Sequence, residues 1–264
     1  MRARILAAAS ALAVGIALAG APAAAPAARG KKPAGSSWAK RVRSATRFAA
    51  GRTGSASFAV IDERGRIHGR RDGVQYSSAS FTKAMILVAY LRRSDVRHRR
   101  LHAPERRLLG PMIRVSDNDA ASAIYDRVGP DGLTRLAARA GMRRFVANPV
   151  WGGCQVTAGD QARFFFRIGR LIPRRHRGYA LGLLSSIVSP QRWGIARAVP
   201  RGWRIHFKGG WTPDDDGWRV HQAALLRNGG RRISIGVLTS GGPSLEYGTG
   251  TIAGIGARLL HEFR

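Results

Sequence analysis

The chain has 264 residues, 44% of them apolar, which suits one large or two small domains with a packed core and excludes a disordered or collagen-like protein. Forty-five Lys and Arg against fifteen Asp and Glu leave a formal charge of +30, which favours acidic or neutral partners over basic ones. A single cysteine, Cys154, cannot close an intramolecular disulfide or complete a thiolate metal cage.

Arg2 and Arg4 precede an apolar run from Ile5 to Ala19, and Ala21-Pro22-Ala23 follows as the small-x-small pattern of a secretory cleavage site. A run of about fifteen apolar residues falls short of the roughly twenty that span a bilayer. The reading is therefore a signal peptide over residues 1–28, a linker over 29–35 and one folded domain over 36–264 that works outside the cytoplasmic membrane, with no transmembrane anchor after cleavage. In chain order, periodicity predicts a helix from Ser37 to Ala50, a strand from Ala56 to Asp62, a turn at Glu63-Arg64-Gly65 and a strand from Arg66 to Arg70. A helical middle follows, with apolar faces over Phe81–Arg93, Leu108–Val115, Ala120–Val128 and Leu133–Ala140, and with Gly129 and Gly141 as stops. Thr157 and Asp160 fit a capping box opening a helix to Arg170. Strands over Arg204–Gly209, Val220–Arg227 and Arg232–Ser240, the last two joined at Asn228-Gly229-Gly230, and a helix from Thr249 to Phe263 close the chain. The predicted class is α+β: one five-stranded antiparallel sheet built from both chain ends, flanked by helices, with a helical insertion over residues 77–200.

The chemistry begins at Ser80-Phe81-Thr82-Lys83. With 18 Ser and 5 Lys, about 0.3 such S-x-x-K matches arise by chance, and Ser37-Trp38-Ala39-Lys40 is a second, read as a helix start with a solvated lysine. Context favours Ser80, which opens an apolar helix and shares a face with Lys83. Serine is a weak nucleophile until a base takes its proton, and a lysine with a lowered pKa can do so where an always-charged arginine cannot. Forty of the 45 basic residues are Arg, so lysines at 83 and 208 stand out. Ser116-Asp117-Asn118 lies between two predicted helices; Ser, Asp and Asn are also ordinary cap residues. Lys208-Gly209-Gly210 sits at a predicted strand end, followed by Trp211 and Thr212.

S-x-x-K, S-D-N and a K-T-G-like triplet, in that order, make the chain resemble class A β-lactamases and the penicillin-binding serine hydrolases. The likeness covers residues 37–264 and is most specific in Tyr76–Lys83 and Leu108–Gly129. It implies a β-lactamase-like fold, Ser80 as acylated nucleophile, Lys83 as the amine that deprotonates it, and Ser116 as proton donor to the leaving nitrogen. Asn118 would hold Lys83 and a substrate amide, and Lys208 would hold Ser116 and a substrate carboxylate. The backbone N–H groups of Ser80 and Trp211 would form the oxyanion hole, with Gly209, Gly210 and Thr212 along the substrate. No metal or other cofactor is expected.

The sequence departs from that pattern in one respect that bears on rate. Class A enzymes carry a glutamate after S-D-N that activates the deacylating water, whereas none of Glu63, Glu105, Glu246 and Glu262 lies between Ser116 and Lys208. Phe145–Thr157 stands in that place without a carboxylate. Gly209 also lacks the hydroxyl that would touch a substrate carboxylate, leaving Thr212 as the substitute. The expectation is an exported serine hydrolase that acylates on a β-lactam or D-Ala-type amide and deacylates slowly, as a monomer. The alternatives are a D,D-peptidase or transpeptidase acting on peptidoglycan, and an inactive basic binder of acidic cell-wall polymer. His98 and His102 lack a third metal ligand, and no nucleic-acid motif accompanies the arginines.

Overall fold

The sheet comes from both ends of the chain because only those segments carry long buried strands. The structure, a computed structural model, describes residues 37–263; the predicted signal peptide and linker lie outside the described residues. Strand β1 (Ser55–Ile61) and β2 (Ile67–Arg70) join β5 (Arg204–Asp214), β6 (Gly217–Asn228) and β7 (Arg231–Gly242) in the order β2-β1-β7-β6-β5, every pairing antiparallel. Phe58 to Ile61, Val220 to Leu226 and Ile233 to Thr239 are buried almost without alternation, because both faces of the sheet are covered. Helix α5 (Ala158–Leu171) lies on one face, where a side chain at Gly236 would meet the Ala158 carbonyl at 2.7 Å. Helix α8 (Leu245–Leu260) lies on the other, with Gly248 against Val220 and Gly254 against Phe48 of α1 (Trp38–Ala50). Gly229 at φ 55° closes the β6–β7 hairpin with Asn228 opposite Arg231, as the Asn-Gly-Gly signal predicts.

Between β2 and β5 the chain forms the helical insertion. A small ladder of β3 (Gln75–Ser77) with β4 (Gln155–Thr157) leads into a 3-10 turn, Ala79–Thr82, and then α2 (Lys83–Leu91), all nine of whose residues are buried. A helix that is apolar all round belongs in the core, and α2 is the axis of the insertion. Helices α3 (Ala103–Arg114) and α4 (Asn118–Ala140) pack around it, followed by α6 (Arg177–Ser185) and the short α7 (Ile195–Ala198). α4 breaks at Gly129 (φ 66°, ψ 172°) before Pro130, where the sequence places a stop.

Several elements differ from the sequence reading: α8 begins at Leu245, where Ser244 Oγ accepts the Tyr247 N–H at 3.1 Å, rather than at Thr249. α3 starts at Ala103 rather than Leu108, because Glu105 accepts the His102 N–H at 2.5 Å and Pro104 sits in the first turn, whereas the apolar stripe begins later. α6 follows the Arg174-Arg175-His176 turn, and those charges hide its apolar face from a periodicity argument. Lys208-Gly209-Gly210 is not a strand end: β5 runs on to Asp214, paired with β6 to Asp214↔Gly217. Thr157 caps α5 as expected, accepting from Asp160 N–H at 3.1 Å, but the Asp160 carboxylate turns away to the backbone N–H groups of Arg143 and Arg144 at 2.8 and 2.7 Å. The capping box is therefore one-sided.

Candidate active site

Ser80 and Lys83 are three apart across the 3-10 turn, where positions i and i+3 eclipse, so the turn stacks them more directly than the expected α-helix start. Ala79 takes φ 49° to bring the chain out of β3 into that turn. On the other side of the cleft Ser116 takes φ 64°, so two of the three non-glycine residues with positive φ among the described residues flank the site. Such conformations cost about 1–3 kcal/mol each and persist where surrounding contacts enforce them.

At Ser116 those contacts are plain. Lys83 Nζ donates to the Ser116 carbonyl at 2.5 Å and to Asn118 Oδ1 at 2.6 Å, and lies 3.4 Å from Ser116 Oγ. Lys208 Nζ donates to the same Ser116 Oγ at 3.0 Å and to the Gly209 carbonyl at 2.7 Å. Asp117, the middle residue of the triplet, caps α4 by accepting from Ala120 N–H at 2.8 Å. The cap and the site thus share one motif: Asp117 fixes the helix start, which aims Ser116 and Asn118 at the lysines. The Ser80 hydroxyl, half-buried, has no hydrogen-bond partner among the described residues.

Both lysines are fully buried, and burial disfavours their charged forms. Lys83 is lowered from 10.5 to about 8 by desolvation, with the Asp117 charge pulling the other way. Burial, not a neighbouring positive charge, is what lowers Lys83. Lys208 is driven well below its usual range, by desolvation first and by Lys83 second. A neutral Lys83 keeps two N–H groups for Ser116 O and Asn118 Oδ1 and leaves its lone pair free to accept a proton. Any reaction that needs this lone pair should quicken about tenfold per pH unit below 8 and level off above it. A stopped-flow pH series of adduct formation reads this directly.

Edge strand β5 forms the opposite wall. A side chain at Gly210 would lie 2.5 Å from Phe81 N and 3.1 Å from the Ser78 carbonyl, so only glycine lets β5 approach the Ser80 turn this closely. Residues two apart in a strand direct their N–H and C=O groups to the same edge, so the Trp211 N–H shares the edge of the Gly209 carbonyl that accepts from Lys208. Thr212 lies on the Lys208 face of β5, its hydroxyl donating to the Pro213 carbonyl at 3.0 Å. At Gly209 a side chain would strike the Trp193 indole at 2.7 Å. Trp193 is held there by Gln222, whose amide donates to Trp193 O at 2.9 Å and accepts from Ile195 N–H at 2.6 Å.

The Phe145–Thr157 segment brings no carboxylate but does bring an aromatic. Its 3-10 turn, Trp151–Gly153, sets the Trp151 ring 4.6 Å from Lys83 Nζ, and Trp151 Nε1 donates to Ser122 Oγ at 3.2 Å. Ser78 Oγ donates to the Trp151 and Gly152 carbonyls, each at 3.2 Å, tying this loop to the Ser80 turn, and Thr82 Oγ1 donates to Ser78 Oγ at 2.5 Å. His221, lowered to about 4 by burial, stays neutral and bonds the Ser77 carbonyl through Nε2 at 3.0 Å, which fixes the same turn to β6. Sequence reasoning singled out none of Trp151, Trp193, Ser78 or His221 for the site. An aromatic beside Gly-Gly at 151–153 is the only signal Trp151 gives, and it is weak.

Solved class A β-lactamases share this arrangement of sheet and helices. An ancestral class A β-lactamase of Gram-negative bacteria superimposes with a TM-score of 0.72 at 18% identity, over 85% of this chain and 100% of that one. A β-lactamase from Sphaerobacter thermophilus gives 0.71 at 20% identity, over 85% and 97%. One from Xanthomonas campestris pv. campestris gives 0.71 at 17%, over 84% and 97%. Likeness at such identities is a statement about fold. The family model described as Beta-lactamase enzyme family matches residues 100–263. The chain belongs to the β-lactamase enzyme family. The matched region carries Ser116, Asn118 and Lys208, while Ser80 and Lys83 precede it. A comparison with curated proteins gives no match. No helix among the described residues is long and apolar enough to cross a membrane, and no group of three or more His, Cys, Asp or Glu there could hold a metal.

Proposed function

We propose that the protein is an exported serine acyl-enzyme that opens a β-lactam or D-Ala-type amide on Ser80 and releases the acyl group slowly. The observation that carries this reading is the convergence of Lys83 and Lys208 on Ser116 Oγ, at 3.4 and 3.0 Å, with Asn118 on Lys83. Ser80 Oγ attacks the carbonyl carbon while its proton passes to the Lys83 lone pair. The negative oxygen that forms is met by the Ser80 and Trp211 N–H groups. The carbon–nitrogen bond then breaks, and Ser116 Oγ gives its proton to the departing nitrogen and is re-protonated from the lysines. Gly210 keeps β5 close enough to take part; Asn118 and Thr212 line the substrate strand.

Slow release follows from the missing base. Asp117 is the one carboxylate that acts on Lys83 among the described residues, and its Oδ1 is engaged in capping α4. Trp151 stands over Lys83, where water would have to be activated. Intact-mass spectrometry after mixing with benzylpenicillin should show one covalent adduct that survives for minutes to hours. Turnover within seconds would refute slow deacylation, and the absence of any adduct with β-lactams or D-Ala-D-Ala esters would refute the acyl-enzyme reading itself. A D,D-peptidase gives the acyl group to water and a transpeptidase gives it to an amine, both on peptidoglycan; with a D-Ala-D-Ala ester, release of the acid identifies the first and an amide formed with an added amine identifies the second.

A further inference from the structure

One concavity that the acyl chemistry does not use is lined by six arginines. It has a volume of about 390 Å³ and lies between the chain that leaves α2 and the second half of α4. Its lining includes Arg92, Arg93, Arg97, Arg127, Arg135 and Arg139. Asp95 is the only carboxylate among its lining residues, and both of its oxygens are taken by Arg93 at 3.1 Å. Arg93 and Arg92 are further anchored, Arg93 to the Arg127 carbonyl and Arg92 to the Leu171 carbonyl at 2.6 Å. Arg97, Arg135 and Arg139 make no side-chain hydrogen bond or ion pair with any described residue. Arg92 is half-buried, and its pKa is lowered by burial first and by the neighbouring charges of Arg139 and Arg97 second.

Like charges held together in a concave wall focus a positive field and disfavour the empty state. A planar guanidinium fork matches the oxygens of phosphate, and neighbouring forks chelate successive phosphates in a way that dispersed arginines cannot. Arg97, Arg135 and Arg139 are exposed at this concavity with their guanidiniums uncommitted, which suits a ligand of high negative charge density. We infer that this concavity binds an anion carrying two or more linked phosphate groups. The site is separate from Ser80, so it stands or falls independently of the acyl-enzyme reading.

The experiment is isothermal titration of the whole protein with inorganic tripolyphosphate and, separately, with a glycerol-phosphodiester oligomer, at low salt and again at about 0.15 M. Two triple variants are compared with the wild type: R97Q/R135Q/R139Q removes three lining charges that make no internal contact, and R43Q/R47Q/R201Q removes three exposed charges elsewhere, so both lose the same net charge. The expected result is saturable binding that the first variant weakens at least about tenfold and the second by no more than about twofold. Tighter binding of tripolyphosphate marks a free oligophosphate as the natural ligand, and tighter binding of the oligomer marks a phosphodiester polymer. Equal weakening in both variants, or no saturable binding of either probe, overturns the inference. Circular dichroism melts of both variants establish that each is folded.

Discussion

Replacing Lys83 by Arg or by Met should lower the rate of adduct formation with benzylpenicillin by about 10²–10⁴-fold, the usual worth of a positioned general base. Arg retains the charge and the donors for Ser116 O and Asn118 Oδ1 but cannot give up its proton. Met retains the length and loses charge and donors together. If proton acceptance is what matters, the two variants fail alike. A near-normal rate in Lys83→Arg would mean that the site needs only positive charge, and the base would have to be sought elsewhere. The melts carry a second signature. A lysine whose folded pKa is about 8 against 10.5 unfolded binds fewer protons when folded, so its burial penalty is fully present below pH 8 and fades as the pH rises toward 10.5. That penalty is roughly 3 kcal/mol at neutral pH, and Lys83→Met should recover part of it at pH 7 and little at pH 10.

The second large effect is at Lys208, where function and stability should move in opposite directions. Its ammonium is fully buried beside Lys83 with no carboxylate partner, and it donates only to Ser116 Oγ and the Gly209 carbonyl. Replacing a buried charge by an apolar side chain of similar volume stabilises proteins by about 1–4 kcal/mol in many cases. Loss of the two hydrogen bonds offsets about 1 kcal/mol of this, because Ser116 is half-buried and open to water. Lys208→Met should therefore melt a few degrees higher near pH 6, where the folded-state penalty on a lowered-pKa lysine is greatest, and converge on the wild type as the pH approaches 10.5. The same variant should lose adduct formation by at least about a hundredfold. A variant that melts lower at pH 6 would show that Lys208 is a structural cation whose hydrogen bonds outweigh its desolvation.

How much of this was legible beforehand depended on whether a residue's signal is local. The existence of the five strands, of the Gly229-Gly230 hairpin, of the break at Gly129 and of the cap at Thr157 follows from short-range periodicity and turn chemistry, although β5 runs five residues beyond its predicted end at Gly209, to Asp214. Ser80, Lys83, Ser116, Asn118 and Lys208 were legible because each sits in a triplet or quartet with its own spacing, and the structure brings the last four into one hydrogen-bonded cluster. What stayed hidden is long-range. Trp193 reaches Gly209 only because Gln222, far along the chain on β6, clamps its loop. Trp151 covers Lys83 because Ser78 ties its turn to the Ser80 turn. The arginine concavity likewise joins residues from the end of α2 to others more than thirty positions on, and no local pattern in a chain with forty arginines could have separated it from the rest.

In the proposed reaction one hydroxyl, on Ser80, becomes covalently attached to substrate. The most direct test of this attachment is peptide mapping of benzylpenicillin-treated protein beside the Ser80→Ala variant. The account predicts a single acyl mass on the peptide containing Tyr76 to Lys83, located on Ser80, and no adduct in the variant. An adduct on Ser116 or on any other residue, or one that persists in Ser80→Ala, would contradict it.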